Sequence, residues 1–95
     1  MAIYYISQHY IRDHAVFEDY LNRNYALIEA AGGSYVSSSA SPFLLEGTRK
    51  PDRVAIVKFP DMAAVRRWYD STEYQPLKAI RQSVAETTML LLESQ

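Results

Sequence analysis

Every clear strand-like segment of this chain is apolar on both of its faces. In Ile3 to Tyr10, Ile3 and Tyr5 share one side while Tyr4 and Ile6 share the other. In Val54 to Phe59, Val54 and Ile56 oppose Ala55, Val57 and Phe59. In Thr87 to Glu93, the run Met89, Leu90, Leu91, Leu92 leaves no polar side. Successive side chains point to opposite faces of a strand, so a sheet built from these segments needs cover on both faces. An antiparallel sheet that leaves one face to water normally shows alternation instead. Large exposed apolar patches are rare on soluble monomers. The pattern therefore predicts a second copy, a homodimer joined sheet to sheet.

Between the strands lie two helical regions. Asp13 is a plausible N-cap, and Phe17, Tyr20, Leu21, Leu27, Ile28 and Ala31 recur at helical spacing from about Asp13 to Ala31. Gly32-Gly33 ends that helix. Tyr35 to Ser39 reads as a more polar strand. Residues 40–52 form a long connection punctuated by Pro42, Gly47 and Pro51, with a short extended piece expected at Phe43-Leu44-Leu45. Pro60-Asp61 opens a second helix striped by Met62, Val65, Trp68 and Tyr69. Ser71 or Thr72 can cap a third, and Thr72 with Gln75 has capping-box spacing. Tyr74, Leu77, Arg81 and Val84 share one face of it. The order predicts an α+β fold, a ferredoxin-like β-α-β-β-α-β sandwich with a four-stranded antiparallel sheet. Ninety-five residues are expected to make one domain, 1–95.

Charge and residue usage narrow the partners. A net charge of −1 from interspersed ions gives no basic surface for nucleic acid. No segment is long and apolar enough for a bilayer, and MAIYYISQHY lacks the form of a signal peptide. The absence of cysteine excludes thiolate catalysis and sulfur metal sites, and it suits a reducing, cytoplasmic setting. His9 and His14 lack a third ligand at useful spacing, so neither a metal nor another cofactor is expected.

Several stretches together carry a family likeness: Gly32-Gly33-x-Tyr35, Leu45-Glu46-Gly47, Phe59-Pro60, Trp68-Tyr69-Asp70-Ser71-x-Glu73-Tyr74, Leu77 and Arg81. Over nearly its whole length the chain resembles the bacterial domain-of-unknown-function family thirteen-thirty. The resemblance implies the dimeric α+β barrel superfamily, whose members include cofactor-free monooxygenases, lactone isomerases and stress-response proteins. It departs from the family pattern at Ser38-Ser39-Ala40, in place of an Arg-Gly-Gly turn, and at Lys58, in place of an acid before Phe-Pro.

Two functional readings stand open. One is an enzyme, oxygenase- or isomerase-like, acting on a small anionic or aromatic organic molecule. The other is a non-catalytic ligand-binding or stress-related dimer. His9 is the catalytic candidate, because histidine titrates near neutrality. Arg81 falls on an apolar stripe and needs a partner, either an acid such as Glu46, Glu86 or Glu93 or an anionic ligand. In the split topology, the first strand's end, the third strand's start and the third helix's end meet at one edge of the sheet. His9, Arg53 and Arg81 are therefore expected there, around a pocket lined by Tyr35, Trp68 and Tyr74. Glu46 is expected to couple to Arg81, and the 40–52 connection to act as a lid.

Overall fold

The computed structural model describes residues 1–94. In chain order it contains β1 (Ile3–Ile11), α1 (His14–Ala30), β2 (Ser34–Ser39), β3 (Arg53–Phe59), α2 (Met62–Tyr69), α3 (Tyr74–Val84) and β4 (Ala85–Glu93). The strands form one sheet in the order β2-β3-β1-β4, with every neighbouring pair antiparallel. This is the α+β ferredoxin-like arrangement. The sheet of one chain is open at both edges, so a barrel needs a second sheet.

Local chemistry sets the helix ends. The Asp13 carboxylate accepts from the Val16 N–H at 3.1 Å, and Asp61 accepts from Ala64 N–H at 2.9 Å. Helix α1 stops in a Schellman motif: Gly33 N–H reaches Ile28 O at 2.9 Å and Gly32 N–H reaches Glu29 O at 3.0 Å. Gly32 takes a φ of 97°, which glycine adopts without strain. At Gly33 a Cβ would sit 2.7 Å from an Ile28 methyl carbon and 2.8 Å from the Phe59 ring, so only glycine lets α1 close onto β3. At α3 the Tyr74 N–H is held by the Ser71 hydroxyl at 3.2 Å. The Thr72–Gln75 capping box does not form, because the Gln75 amide bonds the Tyr69 and Ser71 carbonyls instead. No strand forms at Phe43-Leu44-Leu45.

The two faces of the sheet differ in cover. Ile3, Tyr5, Ser7 and His9 of β1 are buried beneath the helices, while Tyr4, Ile6, Gln8 and Tyr10 are only half-buried. In β3, Ala55, Val57 and Phe59 are likewise buried. The register places these residues in rows on the helix face. Arg53, His9 and Thr87 form one row, Ala55, Ser7 and Met89 the next, and Val57, Tyr5 and Leu91 the third. The middle row is made of small residues until Met89. It therefore leaves depth between sheet and helices for long polar side chains descending from α1 and α3.

Candidate functional site

Four polar side chains are buried in the core: Ser7, His9, Asn24 and Arg81. His9 is only 2% exposed and lies in β1 against the Phe17 ring, 4.7 Å between centroids. Its Nδ1 is 2.8 Å from the Thr87 hydroxyl. It is therefore a core residue. Parity along β1 with Ile3, Tyr5 and Ser7 is the sequence signal that places it there.

Burial, then the guanidinium groups of Arg81 and Arg53, pull the His9 pKa down to about 4. At neutral pH His9 is an uncharged imidazole. The unfolded chain takes up this proton at about 6.5. Between these two values the unfolded state binds more protons, so stability is complete above about pH 6.5 and falls as pH drops toward 4. The loss near pH 4.5 is expected to be about 2 kcal/mol. His9→Gln should remove that part of the acid sensitivity. Urea unfolding of both proteins at neutral and acid pH checks this, and equal acid sensitivity would show that His9 is not held neutral.

Arg81 descends from α3 and is 5% exposed. No carboxylate meets it. Among the described residues the ion pairs are Arg23–Asp19, Arg49–Glu86 and Arg66–Asp70. The expected coupling to Glu46 is absent: Glu46 is exposed in the 40–52 connection and takes part in none of these ion pairs. Glu86 is taken by Arg49, with both carboxylate oxygens held at 3.1–3.2 Å. Burial works against the Arg81 charge, but the phenol oxygens of Tyr74, Tyr20 and Tyr5 outweigh it and raise the pKa. Its Nε is buried with no hydrogen-bond partner.

Around Arg81 the aromatic groups form a connected polar network. The Trp68 indole N–H donates to Asn24 Oδ1 at 2.7 Å, and the Asn24 amide N–H reaches the Tyr20 oxygen at 3.4 Å. The Tyr20 and Tyr74 hydroxyls are 2.8 Å apart. Tyr74 is also packed on Trp68, 4.8 Å between ring centroids. Burial, then the neighbouring Tyr74 oxygen, pushes the Tyr5 and Tyr20 pKa values up, so both phenols stay protonated at any working pH. The sequence reading missed Asn24, Tyr20 and Tyr5 as site residues. Asn24 lies on the α1 stripe with Phe17, Tyr20 and Ile28, so the helical spacing already marked a polar group for burial.

Open space lies beside this network. A cavity of about 240 Å³ between α2 and the β1–β4 side has Tyr5 and Trp68 as its floor and Arg66, Tyr69, Met89 and Leu91 around it, while Arg81, Tyr20 and Tyr74 do not line it. A second, of about 370 Å³, lies under α1 and is lined by Tyr35, Tyr25, Ser38, Arg53 and Glu18. Tyr35 stacks on Tyr25 at 5.3 Å, and Arg53 donates to the Ser38 hydroxyl at 3.1 Å. The expected single pocket is thus divided. His9 feels both Arg53 and Arg81, but Tyr35 lines one cavity, Trp68 the other, and Tyr74 lies buried against Trp68. The 40–52 connection is no lid over it. Arg49 sits 3.6 Å above the Tyr10 ring and pairs with Glu86, and both of those residues belong to the uncovered face.

No three His, Asp or Glu side chains cluster to hold a metal among the described residues. No helix among them is long and apolar enough to cross a membrane.

An open antiparallel sheet under three helices, with a buried arginine–tyrosine centre, defines a small α+β protein of ferredoxin-like fold. Residues 2–95 match the model of the family described as Domain of unknown function (DUF1330), and the chain belongs to that family. No curated protein matches it in sequence. Among solved structures, a protein of unknown function from Rhodopseudomonas palustris superposes with a TM-score of 0.87 at 18% identity, covering 99% of this chain and 82% of that one. SnoaB, a cofactor-independent oxygenase from Streptomyces nogalater, gives 0.74 at 18% identity, covering 99% and 93%. A dimeric ferredoxin-like protein of unknown function from Thermobifida fusca gives 0.73 at 16% identity, covering 99% and 92%. These likenesses establish the fold.

Proposed function

We propose that this protein binds a small aromatic molecule bearing an oxyanion in the cavity over Tyr5 and Trp68, and that Arg81, which neighbours Tyr5 without lining the cavity, supplies the positive field that favours the anion. The observation that carries this reading is the buried guanidinium with no acid partner. A buried charge is normally paired, and evolution tolerates an unpaired one where a ligand completes it. Tyr5 joins the two parts. It lines the cavity, and its hydroxyl lies in the field of Tyr74 and Arg81. The aromatic floor suits a flat apolar body, and the guanidinium suits a carboxylate, phenolate or enolate oxygen.

Turnover is the finer part of the proposal. An oxygenase or isomerase acting without a cofactor needs its substrate as an electron-rich enolate or phenolate. His9, the sequence candidate for accepting that proton, is buried, outside the cavity lining and held to a pKa of about 4 by burial and two guanidinium groups, so it is a weak base for this step, and the geometry favours binding over turnover. The oxygenase reading gains support from the fold shared with SnoaB and with an antibiotic biosynthesis monooxygenase, the latter at a TM-score of 0.59. The alternative is binding without turnover, and oxygen uptake with a bound phenolic ligand separates the two.

Binding itself is tested by thermal shift with benzoate and 2-naphthoate against benzamide and 2-naphthamide. The acids should raise the melting temperature and the neutral amides should not. Equal stabilisation by acids and amides would refute the oxyanion reading.

We also propose that the molecule is a homodimer joined through the uncovered sheet face. Ile6, Ile56 and Leu90 form a continuous apolar row there, with Leu92 and Tyr4 beside it. A dimeric protein of the same fold supports this reading. Light scattering on dilute protein reads it directly.

A further inference from the structure

The β2 end of the sheet builds a second cavity with its own chemistry. Strand β2 pairs with β3 through a bulge: Tyr35 lies opposite Val57 and Ser37 opposite Ile56, so Val36 is an extra residue. Residues three apart on a regular strand point to opposite faces. The bulge cancels that alternation. Tyr35 and Ser38, opposite Val57 and Ala55, therefore both join Arg53 on the helix face. Across from them, Glu18, Asn22 and Tyr25 follow one another at helical spacing along one side of α1. The two rows line the cavity of about 370 Å³.

Arg53 reaches this space half-buried. It donates to the Ser38 hydroxyl at 3.1 Å, while its Nε is buried with no hydrogen-bond partner. Glu18 lines the same space, yet neither Glu18 nor Arg53 belongs to an ion pair among the described residues. An acid and a base that line one cavity without meeting are matched by a ligand carrying both opposite charges. The guanidinium suits a carboxylate, and the Glu18 carboxylate suits an ammonium. Tyr25 and Tyr35, stacked at 5.3 Å and 22° between planes, supply an aromatic wall.

We propose that this cavity is a second binding site, for a small zwitterion with a flat ring, of the aromatic α-amino acid class. Arg53 holds the carboxylate through its free Nε, Glu18 holds the ammonium, and the ring packs on the tyrosine pair. A simple anion is disfavoured by Glu18 and a simple amine by Arg53. The site shares no lining residue with the cavity over Tyr5 and Trp68, so it stands apart from the oxyanion reading.

The test is an NMR titration at neutral pH with four probes. L-phenylalanine carries both charges and the ring, 3-phenylpropionate lacks the ammonium, 2-phenylethylamine lacks the carboxylate, and L-alanine lacks the ring. L-phenylalanine should bind most tightly, and loss of either charge should weaken binding about tenfold, the scale of one hydrogen bond to a charged group. L-alanine should also bind more weakly. Glu18→Gln should weaken phenylalanine binding about tenfold and leave 3-phenylpropionate no weaker. Arg53→Gln should weaken phenylalanine by a similar factor and leave 2-phenylethylamine no weaker. Glu18 is exposed on α1, so Glu18→Gln and the probe series decide the matter even if Arg53→Gln does not fold. Absence of phenylalanine binding would overturn the proposal. So would equal binding of any single-charge probe or of L-alanine, or full phenylalanine affinity in a folded variant.

Discussion

Arg81→Met is expected to leave the protein as stable as the parent, or more stable by about 1–3 kcal/mol, while weakening binding of aromatic carboxylates about a hundredfold. Arginines buried in a core usually face an acid, and removing one such partner costs about 3–5 kcal/mol because the remaining charge is stranded. Here nothing is stranded, since no carboxylate faces the guanidinium. Methionine fills a similar length with apolar atoms and relieves the cost of burying a charge. The hydroxyls of Tyr20 and Tyr74 keep their bond to each other, so little is lost on their side. Binding moves the opposite way. A guanidinium that favours an oxyanion bound in the neighbouring cavity is expected to contribute about 2–3 kcal/mol, or roughly two decades in affinity. Denaturant unfolding and a thermal-shift titration of the same variant measure both quantities. A loss of several kcal/mol in stability would mark Arg81 as structural and remove the reason for assigning it to a ligand. A gain in stability with lost binding is the pattern expected where a site is strained for function.

Much of the architecture was legible because it depends on local chemistry. The period-two pattern of Ile3 to Tyr10 sorts the same residues onto the two faces that the sheet displays. Asp13, Asp61 and Gly32-Gly33 fix helix ends through contacts within a few residues. The site was less legible, because its contacts join distant segments. Asn24 meets Trp68 across 44 positions, and His9 meets Thr87 across 78. Helical spacing showed that Arg81 would be buried, yet not that it would face phenols. A search for opposite charge led to Glu46, although hydroxyl groups can also surround a guanidinium. Residues 40–52 carry no periodic pattern, so nothing in their sequence distinguished a lid over the pocket from a strap on the other face. There Arg49 is fixed by Tyr10 and Glu86, which only the register of β1 with β4 brings together.

Leu90→Glu is expected to turn the dimer into monomers at micromolar concentration, a loss of at least about a thousandfold in association. Leu90 lies opposite Ile6, which in turn lies opposite Ile56, so these three make one row across β4, β1 and β3. In a single chain Leu90 and Leu92 are each 49% exposed, although Leu90 shares its row with Ile6 and Ile56 and Leu92 lies opposite Tyr4, with Lys58 at the far end of that second row. Burying such a row is favourable at about 25 cal/mol per Å², and isologous pairing applies that gain to both copies at once. The same symmetry doubles the penalty of a charge. One substitution buries two glutamates, each costing several kcal/mol when desolvated without a partner. A total of about 4 kcal/mol already corresponds to a thousandfold. Val16→Glu serves as the control, because Val16 is 37% exposed on α1, on the opposite side of the sheet. Sedimentation or light scattering should show dimers for the parent and Val16→Glu and monomers for Leu90→Glu. Dissociation by Val16→Glu alone would place the interface on the helices. A parent that is monomeric at micromolar concentration would refute sheet-to-sheet pairing altogether.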